Sequence, residues 1–187
     1  TYLAEILNNR AKEVGIDLNL TASYFVKNEK DIAREKCLEW LNNISKQREN
    51  NKIQNYRELY KIIYLSNKYQ LRDILARALD QKGKVLYRNG LYSCAITHFS
   101  YSLLYYGKEE DENRIKESYI SIGKAYFMDE NYPMSIVYYN LAGLIEREDS
   151  LLYYKALSHY KLGQFNIARS ISNNIMFKDE RVLELEN

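Results

Sequence analysis

Few residues in this chain carry groups suited to acid–base, nucleophilic or metal chemistry, and their spacing keeps them apart. His98 and His159 are the only histidines, and neither has a second ligand at metal-binding spacing. Cys37 and Cys94 form no C-x-x-C pair and stand beside no histidine cluster, so neither a disulfide framework nor a zinc site is expected. Each thiol is read instead as a buried or half-buried small hydrophobe in a reducing, cytoplasmic setting. The acids Glu109, Glu110, Asp111 and Glu112 read as a hydrated loop without caps. No phosphate-binding loop, dinucleotide fingerprint or nucleophile elbow is present in the sequence. The expectation is a non-enzymatic chain with no cofactor and no metal.

The 19 tyrosines raise a second possibility, because nucleobases stack on aromatic faces. Tyr92, Tyr126, Tyr132 and Tyr139 recur at core-type positions, however, which favours packing with a buried ring and a wet hydroxyl. A composition rich in Asn, Ile, Lys and Tyr is also what A·T-biased codons yield. The net charge is only +2, from 27 basic and 25 acidic residues, which excludes a basic tail protein. With 46% hydrophobic and 28% charged residues, the chain reads as one globular unit over 1–187. No apolar stretch approaches the roughly 18 residues of a membrane span, so no membrane partner is expected. The start at Thr1 suggests a piece of a longer chain.

Seven glycines and one proline favour long uninterrupted elements, hence helices. Those helices repeat. Residues 83–103 align without a gap on residues 123–143, matching Gly83 with Gly123, Lys84 with Lys124, Tyr87 with Phe127, Tyr92 with Tyr132, Ile96 with Ile136 and Phe99 with Tyr139. A third copy starts at Ala156, where Gly163, Phe165 and Ala168 fall as Gly90, Tyr92 and Ala95 do. Short polar breaks at Arg88–Gly90, Asp129–Asn131 and Lys161–Gly163 divide each copy into a helical hairpin. Gly90 suits the left-handed end of a first helix, and Pro133 the start of a second. Upstream, Asp31–Lys46 places Ile32, Cys37, Trp40, Leu41 and Ile44 near one face, and Ile53–Ser66 does so with Tyr56, Leu59, Tyr60, Ile63 and Tyr64. Gln70–Asn89 follows, while Tyr2–Val14 and Thr21–Asn28 add helices at the start. About nine or ten helices are expected.

The pattern resembles the tetratricopeptide repeat (TPR) family. Leu79, Gly83, Leu86, Gly90, Tyr92, Ala95, Phe99 and Ser102 occupy its consensus places, followed by Tyr119, Gly123, Tyr126, Tyr132, Ser135, Tyr139 and Ala142, then Leu152, Ala156, His159, Gly163, Phe165, Ala168 and Ile175. Glu130 replaces the turn glycine, Ser172 replaces an aromatic residue, and the first two copies lie 40 residues apart instead of 34. The extra length is assigned to a loop around Lys108–Asn113. The resemblance covers about half the chain. It implies an all-α, right-handed superhelix of stacked antiparallel hairpins, with degenerate hairpins over 1–75 and clearer repeats over 76–109, 116–148 and 149–182.

In that family the first helix of each hairpin lines a concave groove. Carried over, the groove residues are Arg77, Asp80, Lys84, Tyr87 and Arg88; Glu117, Ile120, Ser121, Lys124, Phe127 and Met128; and Tyr153, Tyr154, Leu157, Tyr160 and Lys161. Rings mixed with charges suit a protein segment or short peptide. The carboxylate clamp of the family's co-chaperones is absent, its five places holding Asp80, Lys84, Ser121, Ser150 and Tyr154, so chaperone tails are not expected ligands. Charge is uneven along the chain, with nine basic against three acidic residues over 51–100 and five against ten over 101–150. This predicts either a zwitterionic groove or outer faces that neutralise one another.

The loose spacing, the A·T-rich flavour and the start at Thr1 also resemble the sensing domain of bacterial peptide-responsive transcriptional regulators of the quorum-sensing type. That implies a peptide in the groove that shifts curvature or homodimer packing. No helix-turn-helix is evident, so this segment is not expected to contact nucleic acid. The rival readings are a constitutive interaction scaffold and an accessory domain of an enzyme whose catalytic part lies elsewhere.

Overall fold

The computed structural model describes residues 29–46, 52–108, 111–146 and 148–176, and all of its regular structure is helical. Eight helices follow in order among the described residues: α1 Glu29–Lys46, α2 Lys52–Lys68, α3 Arg72–Arg88, α4 Tyr92–Lys108, α5 Glu112–Met128, α6 Tyr132–Ile145, α7 Asp149–Lys161 and α8 Phe165–Ser172. The helices expected over Tyr2–Val14 and Thr21–Asn28 lie outside these residues. Among the described residues no helix is long and apolar enough to cross a membrane.

Sequence explains where these helices stop. Four of the connections share one geometry, in which an N–H reaches back five residues: Leu71 to the Ser66 carbonyl (2.8 Å), Leu91 to Leu86 (3.0 Å), Asn131 to Tyr126 (2.9 Å) and Gln164 to His159 (3.0 Å). Such a turn requires a left-handed residue just before the donor. Gly90 (φ 75°) and Gly163 (φ 74°) supply it as expected, while Gln70 (φ 56°) and Glu130 (φ 60°) adopt it despite their side chains. At the following helix starts, Asp111 accepts the Arg114 N–H at 3.1 Å and Asn131 accepts the Met134 N–H at 3.3 Å. Pro133 stands in the first turn of α6, where its missing N–H costs nothing.

Contacts within a hairpin run in opposite directions along the two partners. Tyr87 meets Tyr92 near the turn, Gly83 faces Phe99 further along, and the buried Ser102 hydroxyl donates to the Ala76 carbonyl at 2.9 Å. Helices α3 and α4 are therefore antiparallel, and α5 with α6 repeats the scheme through Phe127–Tyr132 and Gly123–Tyr139. Each helix packs on the next, and α1 also touches α3, α3 touches α5, and α5 touches α7. The odd-numbered helices thus form a continuous layer. The core is divided accordingly into successive clusters, one around Cys37, Leu59, Leu71 and Ile74, one around Ala95, Phe99 and Ile122, and one around Tyr139, Ala142 and Leu151. The arrangement is repeat-like and all-helical.

Several expectations need correction. The 40-residue spacing does not come from a long loop: α4 runs on to Lys108 and α5 begins at Glu112, so the additional residues lengthen both α4 and α5. Asp111 is a helix cap, not a merely hydrated acid, because its carboxylate lies where the first free N–H groups of α5 point. Helix α8 ends at Ser172, and residues 177–182 of the expected third repeat lie outside the described residues. The Asn174 side chain bonds the Ser170 carbonyl at 2.7 Å, the kind of local competition that ends a helix. In α1, Ala33 is buried and Ile32 is exposed; in α2, Leu59, Ile62 and Ser66 form the buried face while Tyr60 and Tyr64 face outward. Finally, Cys94 is exposed, whereas Cys37 is fully buried and its thiol pKa is pushed up by that burial.

Candidate functional site

Seen from the odd-numbered layer, the sequence-predicted groove residues fall into two neighbourhoods with different chemistry. The first is a polar cavity of about 160 Å³, walled by Leu41 and Ser45 of α1, Arg77, Asp80, Gln81 and Lys84 of α3, Tyr106 of α4, and Arg114, Glu117 and Ser118 of α5. Arg77, Tyr106 and Arg114 also wall an adjoining recess of about 290 Å³ together with Asp73 and Asp111. Most charges here are already matched. Lys84 pairs with Asp80 at 2.7 Å one helical turn away, Arg114 pairs with Asp111 at 2.9 Å, and Arg34 grips Asp73 through two contacts of 3.0 and 2.5 Å. The Tyr106 hydroxyl accepts from Arg114 at 3.4 Å, and its pKa is raised by burial and then by the carboxylate of Asp80.

The second neighbourhood is aromatic and joins the odd-numbered helices α5 and α7. Lys124 of α5 sits 5.0 Å from the centre of the Tyr154 ring of α7. Tyr154 in turn stacks on Tyr139 at 5.7 Å and meets Tyr153 edge-on at 5.4 Å. On α3, burial raises the Tyr87 hydroxyl pKa, and Tyr92 and Tyr154 raise it further. Ile120 supports the patch from below, packed against the cluster of Tyr139, Ala142 and Leu151. The Tyr139 hydroxyl is not wet, as the sequence suggested. It is buried, and burial drives its pKa strongly upward against a smaller lowering by the Ser135 side chain.

Other predicted groove residues serve the hairpins. Tyr87 with Tyr92, Phe127 with Tyr132 and Tyr160 with Phe165 form edge-to-face pairs across the turns, with ring centres 5.5, 5.3 and 5.1 Å apart. Leu157 is half-buried on α7. Arg114 and Tyr106, central to the polar cavity, were missed. The signal for Arg114 lay in its position three residues after Asp111, a cap and its partner. Leu41 and Ser45 come from the region where the repeat fades, so no consensus position pointed to them. Within the acidic segment, Lys116 of α5 contacts Glu146 and Glu148, the latter at 2.6 Å.

Among the described residues no group of three or more His, Cys, Asp or Glu is placed to hold a metal ion. The His98 imidazole is half-buried, and His159 Nδ1 is 2.6 Å from the Gln164 side chain in the turn after α7. No family model matches the chain, and no curated protein matches it either.

Proposed function

We propose that the helices are consecutive turns of a right-handed, TPR-like solenoid whose odd-numbered layer binds an extended peptide or a helical segment of a partner without catalysing a reaction. The observation that carries this reading is the contact of Lys124 on α5 with the Tyr154 ring on α7, which joins two successive odd-numbered helices. A surface assembled from two repeats suits a ligand longer than a single side chain. Half-buried rings offer apolar area at low entropy cost, and Lys124 offers a contact for an acidic or carbonyl group. A bacterial peptide-responsive regulator is the setting in which such a domain would act as a sensor.

The test is selection of random heptapeptides displayed on phage against the immobilised chain. Enriched sequences should combine an apolar or aromatic residue with a nearby acid, and Lys124→Glu should abolish their capture while Lys124→Arg retains it. Failure to enrich any sequence, or capture unaffected by Lys124→Glu, rejects the assignment. Tyr154 is unsuited to truncation here, because its stacking on Tyr139 ties it to the core.

A constitutive scaffold is favoured by a different surface. Tyr60 and Tyr64 on α2 and Tyr101 and Leu104 on α4 are all more than half exposed, at 59, 67, 54 and 56%. Peptide selection that survives Lys124→Glu but fails after Tyr60→Ser and Tyr64→Ser would support that reading.

A further inference from the structure

The polar cavity carries two opposite charges that its own side chains leave unmatched. Asp73, Asp80 and Asp111 are neutralised by Arg34, Lys84 and Arg114 respectively. Arg77 on α3 and Glu117 on α5 both line the cavity, yet neither takes part in an ion pair or side-chain hydrogen bond among the described residues. Arg77 is half-buried, so part of its hydration is lost without a protein carboxylate in exchange, whereas Glu117 is exposed and keeps its hydration until a ligand takes it. Leu41 and Tyr106 are the hydrophobic residues of the lining, and the other residues are polar or charged. At about 160 Å³ the cavity is below the ~300 Å³ at which pockets accept drug-sized molecules.

We propose that this cavity binds a free α-amino acid as its zwitterion. The guanidinium of Arg77 takes the α-carboxylate, for which its planar fork of donors is suited, and the carboxylate of Glu117 takes the α-ammonium. Gln81, Ser45 and Ser118 then surround a short polar side chain. Binding completes the charge matching of the cavity without moving the pairs already made. This inference is independent of the peptide reading, which rests on Lys124 and the tyrosines.

The experiment screens the 20 free L-amino acids by thermal shift on the full chain, followed by calorimetry on the strongest responder. That amino acid is then compared with its N-acetyl and carboxamide derivatives, each of which removes one charge. Both derivatives should bind about tenfold or more weakly than the parent. In Arg77→Gln the cost of amidation should disappear, and in Glu117→Gln the cost of acetylation should disappear, each variant retaining the other discrimination. Lys124→Glu should leave amino-acid affinity unchanged, which separates this site from the peptide surface. The proposal is overturned if no amino acid raises the melting temperature, or if either derivative binds as well as the parent. The derivative series on the unaltered chain decides the matter even where a variant folds poorly.

Discussion

The ring of Phe99 occupies the space that a β-carbon on Gly83 would need, with Cδ1 only 2.6 Å from that position. Tyr139 stands in the same relation to Gly123 in the next hairpin, at 2.9 Å. In the third hairpin the trade is reversed: Ala156 has gained a methyl group, and Ser172 stands where the ring would be, both fully buried. The two departures from the consensus in that copy therefore compensate each other in volume. Gly83→Ala should destabilise the chain by roughly 1–3 kcal/mol through overpacking. Adding Phe99→Leu should recover part of that loss, as measured by urea denaturation of the two single variants and the double variant. Strict additivity would argue against the contact as the cause.

The four equivalent turns predict substitutions of opposite sign. Gly90→Ala and Gly163→Ala place a β-carbon on a left-handed residue and should cost about 1–2 kcal/mol each. Glu130→Gly and Gln70→Gly remove that strain and should be neutral or stabilising by up to ~1 kcal/mol. Melting temperatures of the four variants check the pattern. A loss of stability in Glu130→Gly would mean that the glutamate side chain makes a contact worth more than its backbone strain.

His98 predicts a pH dependence on the acidic side. Its Nδ1 is buried without a partner, and burial, followed by the charge of Lys82, lowers its pKa below the ordinary 6.5. The unfolded chain therefore takes up a proton at this site before the folded chain does, and stability falls as pH drops through 6.5 toward the lowered folded value. His98→Gln should flatten that part of the profile. Chemical denaturation at intervals between about pH 7.5 and pH 5 measures it, with parallel curves for both proteins as the contrary result.

Lys116 predicts the opposite boundaries. Its pKa is raised, first by Glu146 and then by Glu148, so its contribution is present below 10.5 and is lost as pH rises through the elevated folded value. The Glu148 carboxyl is lowered by Lys116, so its contribution is present above 4.5 and is lost as pH falls through the depressed folded value. Lys116→Gln should lower the melting temperature at neutral pH and make no difference once both carboxylates are protonated. Equal melting temperatures at pH 7 would show that the strut between α5 and the start of α7 contributes nothing.

The hairpins from Gly83 onward were legible because glycine, aromatic and small residues recur at fixed intervals, and those intervals are imposed by the contacts just described. The helices upstream were legible in extent but not in facing. Tyrosine is amphipathic, so Tyr60 and Tyr64 satisfied an apolar pattern while pointing outward, and Leu59, Ile62 and Ser66 took the core. Position along a helix singled out both Lys124 and Tyr154 but not their contact, and could not reveal that Phe127 and Tyr160 spend their rings on neighbouring turns. The polar cavity draws on four helices, and nothing in a linear pattern couples Leu41 or Tyr106 to Arg77.

The contrast between the two thiols has a practical meaning. Cys37 is sealed in the first core cluster, and Cys94 stands open on the first turn of α4, just past the left-handed Gly90. A maleimide dye should thus attach at one place without any engineered cysteine. Placed there, a fluorophore would sit at the start of α4, beside the α3–α4 turn, and report on its surroundings as ligands are added.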